Sequence, residues 1–336
     1  RLAYRQIPPH QRQTLRRPVP GINAVMVILT DNIEYSREVL NRNPEWETIA
    51  VNAVPDPIRK LTAGLFDTDS LSVTEVDSDR LWQYMLVVRL AAESQYDTLI
   101  GMAQSDPLLP GGVLCLAGFG SGLHGFKNRP WVALPGNIHL CAFLAPQQKV
   151  DHFGVGFTIL SAVSVIEAVD SIEELKGRAA VKWVNDIVID NAKVAGVLAH
   201  TLSQGEIVTG AILGIGLNVE ATPQIERDSF VPQVAALRDF VSISDKCHQG
   251  LLLEHLIAAL SRNYRLLLEG QYRRLLDIYR RRSLVIGREV AVYADTPAGP
   301  GQELADGIVT SIGENLELYL EGIDRPVTRG RLILKN

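Results

Sequence analysis

Stretches with two different spacings of apolar residues alternate along this chain. Apolar residues at three- and four-residue spacing from Phe153 to Ile166 predict a long helix with one buried face, and SQYDTLIGMAQ and residues from about 244 to 282 also predict helices. Six mostly apolar runs predict strands: WQYMLVVRL, GGVLCLAGFGSG, NIHLCAFLAP, AVKWVNDIVID, KVAGVLAHTL and EIVTGAILGIGLNV. This irregular alternation indicates an α+β fold, in which a mixed β-sheet is flanked by helices.

The two ends of the chain differ from this middle part. From Ile22 to about Asp79, AVMVILT and TIAVNAV predict strands around a polar helical segment, and Pro55 and Pro57 follow as breaks. At the C-terminus, REVAVYAD, ELADGIVTSIG, LELYLEGI and PVTRGRLIL have the spacing of a small β-barrel. We therefore expect three units: residues 1–80, a leader with a small αβ extension of unassigned role, residues 81–283, and residues 284–336.

Composition narrows the classes of partner and compartment. With a formal net charge of -5 the chain has no broad basic surface, so we expect neither DNA nor membrane binding. The three cysteines, Cys115, Cys141 and Cys247, are far apart and form no CxxC pair, which favours a reducing, cytoplasmic compartment. Residues 1–20 are basic without an acidic residue, which is compatible with an organelle import segment or with a flexible leader.

A glycine-rich segment follows the second predicted strand. Glycines at such a place let the backbone approach a ligand closely and point N–H groups at an anion. The segment lacks the GK[ST] ending of a Walker loop, and a mobile surface turn explains it equally well. It contains Gly118, Phe119, Gly120, Ser121, Gly122 and Gly125, and it ends at Arg129 and Trp131.

Polar residues also interrupt the later strands. Lys182, in the sequence KWVND, lies in an apolar strand and needs an anionic partner, either Asp186 or a ligand, unless it faces solvent. Asn218 ends the strand GIGLN, where a ligand contact and a simple turn fit equally well, and Gly196 marks a bulge or a flat packing surface. The histidines show no metal-ligand spacing, so we assign no metal-binding residue, and Cys115 fits a buried apolar thiol better than a nucleophile.

In this order, the pieces resemble the biotin protein ligase family. The resemblance runs from about Leu81 to the C-terminus, and its lead-in is similar to the eukaryotic type, holocarboxylase synthetase. It implies a biotin/lipoate ligase-type catalytic domain over residues 81–283 and an SH3-like barrel over residues 284–336. The matching residues are Ser94 with Asp97, the glycine loop from Gly118 to Trp131, KWVND from Lys182, KVAGVL from Lys193 and GIGLN from Gly214.

The resemblance implies a two-step reaction with ATP, Mg²⁺ and biotin. Biotin is activated as biotinyl-AMP and passed to a lysine in the biotin acceptor domain of a carboxylase, and the resemblance is compatible with a homodimer. Lys182 and Arg129 would be the catalytic cations, and the nucleotide would contact Arg129, Trp131, Asn218 and Lys335. The biotin site would consist of Ser94, Gln95, Tyr96, Cys115, Gly118, Phe119, Gly120, Ser121, Trp131, Lys182 and Gly196.

Several family positions are replaced in this chain. Gln95 stands for a threonine, Cys115 for a glutamine, and Phe119 and Ser121 for two loop arginines. Three functions therefore remain open. The first is a biotin ligase with a rearranged loop, in which Lys127 or Arg129 supplies a cation. The second is a ligase of the same fold that acts on lipoate or octanoate. The third is a catalytically impaired protein that binds a partner or small molecule for regulation.

Overall fold

The computed structural model describes residues 25–106, 108–226, 228–296 and 299–335. The expected leader at residues 1–20 lies outside this part of the chain. Among the described residues, no helix combines the length and the apolar character that a bilayer span needs.

Eleven strands form one mixed sheet, as the alternation of elements predicts. β1 is parallel to β4, and β4 to β5, whereas the other pairs are antiparallel. The spatial order is β2-β3-β1-β4-β5-β6-β11-β10-β9-β8, and β7 pairs with β11. The strands are β1 (Val25–Thr30), β2 (Glu47–Ala50), β3 (Ser70–Asp77), β4 (Tyr84–Ala91), β5 (Val113–Gly120), β6 (Ile138–Leu144), β7 (Gln148–Lys149), β8 (Ala180–Lys182), β9 (Asp186–Ile189), β10 (Ala192–Gln204) and β11 (Ile207–Leu217).

Helices cover both faces of this sheet. The helices are α1 (Ile33–Leu40), α2 (Asp56–Leu65), α3 (Gln95–Ser105), α4 (Phe153–Val169), α5 (Gln249–Leu268) and α6 (Tyr272–Arg281). The buried residues form two hydrophobic clusters, one on each face of the sheet, because alternate residues of a strand point to opposite faces. α1, α4, α5 and α6 contribute to one cluster, and α2 and α3 to the other.

Helix α4 is buried on nearly all sides, although its spacing predicts a single buried face. It packs against the sheet at β10 and also against α5 and α6, which cover the side that would otherwise face solvent. A helix that is apolar all round is the type that such a central position requires.

The N-terminal strands extend the main sheet. β1 pairs with β3 on one side and with β4 on the other. The expected boundary near residue 80 thus falls within one sheet rather than between two.

The C-terminal unit is a separate sheet. Its strands are β12 (Glu289–Thr296), β13 (Gly299–Ile312), β14 (Leu318–Leu320) and β15 (Arg331–Leu334), in the order β14-β13-β12-β15. The expected small C-terminal unit is present as this separate four-stranded sheet, which is not closed into a barrel in the described residues. β14 has only three residues, which limits how far the sheet can extend toward closure.

Candidate active site

A cavity of about 290 Å³ opens where the two sheets meet. The start of α3, the glycine loop, the central strands and β15 all contribute to its walls. Eight of the fourteen residues assigned to the implied catalytic, nucleotide and biotin sites line it: Ser94, Gln95, Tyr96, Arg129, Trp131, Lys182, Gly196 and Asn218.

Lys182 is a buried cation at one wall of this cavity. KWVND is a turn between β8 and β9 rather than part of one strand, and Lys182 lies opposite Asp186 in the register. Its side chain donates to the carbonyl of Phe230, and among the described residues its amine forms no ion pair. Burial lowers the pKa of Lys182, and the nearby Asp186 carboxylate opposes this shift. An anionic ligand would supply the partner that a buried cation lacks.

The carboxylate of Asp186 pairs with Lys193 instead. The Lys193 Nζ lies 2.6 Å from Oδ1 of Asp186 and 5.7 Å from the centre of the Trp131 ring. Asp186 belongs to the motif KWVND and Lys193 to KVAGVL, but no local pattern indicates that the two side chains pair. The pair leaves Lys182 as the cation that remains available to a ligand on this side of the cavity.

Gly216 makes room for the Trp131 ring. A Cβ added at Gly216 would lie 2.4 Å from Cε2 of Trp131, so the ring packs directly on the backbone of β11. This close approach explains why the otherwise apolar strand carries a glycine at this position. A Cβ added at Gly196 would lie 3.5 Å from Cζ3 of Trp131, an ordinary packing distance, so the ring does not require a glycine there.

A buried histidine orients the same ring. Trp131 Nε1 donates to His139 Nδ1 at 3.2 Å, and His139 Nε2 lies 3.2 Å from the Leu134 carbonyl oxygen. Burial lowers the pKa of His139 to about 4, so its ring is neutral at neutral pH. A neutral ring with the proton on Nε2 satisfies both contacts.

The start of α3 forms another part of the cavity wall. Ser94 Oγ caps this helix by accepting from the N–H of Asp97 at 3.3 Å. His124, from the glycine loop, lies 2.6 Å from an Asp97 oxygen. Burial lowers the pKa of His124, but its contacts with Gly125 and Asp97 outweigh burial, so the net shift is upward. The loop is thereby fastened to α3 beside the cavity.

Several predicted site residues do not line the cavity. Cys115 is fully buried in the hydrophobic cluster under α2 and α3, where burial raises the pKa of its thiol. Lys335 instead forms ion pairs with Asp306 and Glu289. The other residues outside the lining are Gly118, Phe119, Gly120 and Ser121.

Close strand packing accounts for the first two glycines of the loop. A Cβ at Gly118 would lie 2.6 Å from the Arg89 carbonyl oxygen, and one at Gly120 would lie 2.5 Å from that of Ala91. Both residues belong to β5, which pairs with β4. Only the later part of the glycine loop, from Leu123 onward, reaches the cavity.

The C-terminal sheet adds residues that the sequence did not indicate. The Arg331 guanidinium lies 3.8 Å from the centre of the Phe230 ring, and it pairs with Asp228 at 3.1 Å. All three residues line the cavity, and Phe230 also accepts from Lys182. The sequence gives no local signal for this grouping, because Arg331 is about a hundred residues away from its partners along the chain.

The described residues offer no site for a metal held by protein ligands alone. No group of three or more His, Cys, Asp or Glu side chains converges in this part of the chain. Mg²⁺ commonly binds through one or two carboxylates together with substrate phosphates and water. The side chains present therefore do not form a resident Mg²⁺ centre.

Comparison with known proteins agrees with these motifs. Residues 120–218 match the model of the biotin/lipoate A/B protein ligase family. The match shows a likeness to this family over that segment of the chain. Within the matched residues lie the glycine loop after β5, the KWVND turn and the strands β10 and β11, so the family model covers most of the cavity wall.

Curated relatives are similar to this chain over part of their length. The bifunctional ligase/repressor BirA of Bacillus subtilis is 28% identical over 161 residues, which cover 46% of this chain and 47% of the relative. A biotin--[acetyl-CoA-carboxylase] ligase of Paracoccus denitrificans is 31% identical over 102 residues, which cover 30% of this chain and 41% of the relative. The chain thus spans about half the length, or less, of these curated relatives.

Solved structures share the fold. The biotin protein ligase of Aquifex aeolicus, in complex with biotin and ATP, has a TM-score of 0.56 at 20% identity, covering 75% of this chain and 98% of that chain. A biotin protein ligase-like protein of unknown function from a Silicibacter species has a TM-score of 0.55 at 12% identity, covering 75% and 96%. These similarities confirm the predicted fold, a mixed sheet flanked by helices.

Proposed function

We propose that this protein is an ATP-dependent biotin protein ligase, which activates biotin and transfers it to a lysine in the biotin acceptor domain of a carboxylase. The observation that carries the proposal is the buried amine of Lys182. It is a cation without an ion-pair partner among the described residues, in a cavity lined by the family's motifs.

The first step brings two anions together. The carboxylate of biotin attacks the α-phosphorus of ATP, which yields biotinyl-AMP and releases pyrophosphate. Lys182 would exchange the Phe230 carbonyl for the anionic oxygens and reduce their repulsion as the new bond forms. The low dielectric around a side chain that is only 9% exposed strengthens this interaction.

Further cations on the wall would hold the phosphates. Arg129 lines the cavity from the glycine loop, and its Nε donates to the Phe126 carbonyl at 2.9 Å. Arg331 lines it from the C-terminal sheet. Together they would supply the charge that the replaced loop arginines leave out. Mg²⁺ would arrive with ATP on its phosphate oxygens, and no step of this proposal uses a metal held by the protein.

The remaining lining residues would position the reactants. Ser94 would contact the head of biotin, and Tyr96 would form the wall beside it. Trp131, packed on Gly216, would shield the mixed anhydride from water. Asn218 is nearly fully buried, and its Oδ1 has no hydrogen-bond partner among the described residues, so it is suited to a nucleotide contact. In the second step, the acceptor lysine attacks the acyl carbon and AMP leaves.

The test follows both steps at once. The purified protein is incubated with ATP, Mg²⁺, biotin and an isolated biotin acceptor domain, and pyrophosphate release and biotin on the acceptor are measured. We expect both products, in equal amounts. No pyrophosphate above the level without biotin would refute the proposal.

A further inference from the structure

Each residue of the turn between β8 and β9 is anchored to a different element. Trp183 Nε1 donates to a carbonyl in the turn between β13 and β14, and Asn185 Nδ2 donates to a carbonyl of β10, both at 2.7 Å. The carbonyl of the central residue, Val184, accepts at 2.7 Å from the hydroxyl of Tyr279, which belongs to α6. Lys182 directly precedes these three turn residues, so its position depends on how firmly the turn is held.

The Tyr279 hydroxyl lies in otherwise apolar surroundings. The side chain is fully buried in the hydrophobic cluster to which α4, α5 and α6 contribute. A buried hydroxyl costs free energy unless it is hydrogen-bonded, whereas a phenylalanine ring would fill nearly the same space without that cost. Among the described residues, the Val184 carbonyl is the hydrogen-bond partner of this hydroxyl. The polar atom of Tyr279 therefore acts on the turn, while its ring serves the packing.

Helix α6 is a firm support for this contact, because backbone hydrogen bonds join the chain at its C-terminal end to β8. The N–H of Val181 donates to the Arg282 carbonyl at 2.7 Å, and the N–H of Leu284 donates to the Val181 carbonyl at 2.8 Å. Val181 comes just before Lys182, and Val184 comes two residues after it. The segment that carries the amine is thus fixed on both sides by the region around α6.

We propose that Tyr279 is a positioning residue, which holds the Val184 carbonyl and thereby keeps the amine of Lys182 directed into the cavity. The inference rests on the proposed role of Lys182 and extends it to a residue outside the cavity lining. Tyr279 would touch neither reactant and would act through the turn alone. Without its hydroxyl, the turn would be held less firmly, and the amine would spend less time at the reacting oxygens.

Competitive labelling of the ligand-free protein tests this positioning apart from catalysis. Acetic anhydride acetylates deprotonated amines, and mass spectrometry compares Lys182 with the exposed Lys149 over a pH series. The quantity of interest is the labelling rate of the deprotonated Lys182 amine, which reports how easily the reagent reaches it. Tyr279→Phe deletes only the hydroxyl. We expect this rate to increase about fivefold in the variant, the change in population that corresponds to one lost hydrogen bond.

Tyr272→Phe is the matched control. Tyr272 is also a buried residue of α6, and its hydroxyl also donates to a backbone carbonyl, that of Glu314, which lies outside the KWVND turn. Both substitutions should lower the Tm by similar amounts, but only Tyr279→Phe should change the labelling of Lys182. An unchanged labelling rate in Tyr279→Phe would overturn the inference. Equal increases in both variants would overturn it as well, because they would reflect general loosening of α6.

The kinetics of pyrophosphate release give a second readout. In Tyr279→Phe, kcat should fall about tenfold while the KM for ATP and the KM for biotin stay within about twofold, because the substrate contacts remain and the reacting geometry is loosened. Tyr272→Phe should leave kcat and both KM values close to those of wild type. A raised KM at unchanged kcat in Tyr279→Phe would overturn the inference, since it would place the effect in substrate binding.

The outcome remains separable from that of the proposed function, because the labelling needs neither ATP nor biotin. If the wild-type protein releases no pyrophosphate, the ligase proposal fails, and the labelling rates alone decide the inference. An increase confined to Tyr279→Phe would then still support the positioning of Lys182 by this hydroxyl.

Discussion

Replacing Lys182 by methionine removes the charge on which the proposed first step depends. Methionine is similar in length to the lysine stem, so the change mainly deletes the ammonium group. Loss of one donor that stabilises developing charge in a water-poor site costs about 3 to 4 kcal/mol, which corresponds to a rate reduced roughly 10²- to 10³-fold. We expect at least this loss for Lys182→Met, because its amine is nearly buried and no other ion-pair-free lysine lines the cavity in the described residues.

The effect on stability should be small by comparison. The substitution leaves the Phe230 carbonyl without its donor, but it also removes a buried cation that has no ion-pair partner in the described part of the chain. The two effects oppose each other, so the Tm should change by only a few degrees. A large fall in Tm would show that Lys182 mainly holds the segment around Phe230 in place.

Single-turnover pyrophosphate release, with protein in excess over ATP, isolates the chemical step. Lys149→Met serves as control, because Lys149 is exposed and paired with Glu206. Since burial lowers the pKa of Lys182, the wild-type rate should fall as pH rises through a value below 10.5, as the amine loses its proton. Lys182→Met should lack this alkaline decline. A Lys182→Met rate within tenfold of wild type would refute the assigned role.

Three other variants test the walls of the cavity. Because burial depresses the pKa of His139 from 6.5 to about 4, its stabilising contribution is complete above pH 6.5 and is lost as pH falls toward 4. His139→Gln should therefore show a smaller acid-induced decrease in Tm than wild type, and an identical decrease would contradict this. In Gly216→Ala the new methyl group overlaps the Trp131 ring, which should cost about 1 to 3 kcal/mol in denaturant unfolding and shift the tryptophan emission. Arg331→Ala should raise the KM for ATP about tenfold, because a charged contact to phosphate is lost. Arg329 is exposed, and Arg329→Ala serves as the control that should leave this KM unchanged. Equal effects of the two substitutions would argue against a phosphate contact of Arg331.

Local patterns predicted most of the central elements. The strands β4, β5, β6, β10 and β11, and the helices α3 to α6, all follow from the spacing of apolar residues. Helix α2 was missed, because Pro55 and Pro57 indicate a break, yet proline is well tolerated in the first turn of a helix. Continuity of the N-terminal strands with the main sheet depends on the pairing of β1 with β4, and the sequence has no local signal for such pairing.

The site was predictable as far as the family motifs extend. Ser94, Trp131, Lys182 and Asn218 lie together as their resemblance to the family implies. The early glycines of the loop were misleading, because a glycine required by strand packing and one required by a ligand look the same in a sequence. Arg331 could not be found, since it reaches the cavity only through the packing of the second sheet on the first.

The most direct test of the ligase proposal is to isolate the activated intermediate on the protein. The chain is mixed with biotin, ATP and Mg²⁺ without an acceptor, separated from free nucleotides, and examined by mass spectrometry. The account predicts about one biotinyl-AMP retained per chain with one pyrophosphate released, and neither product with Lys182→Met. Recovery of unreacted biotin and ATP from the wild-type protein would contradict it.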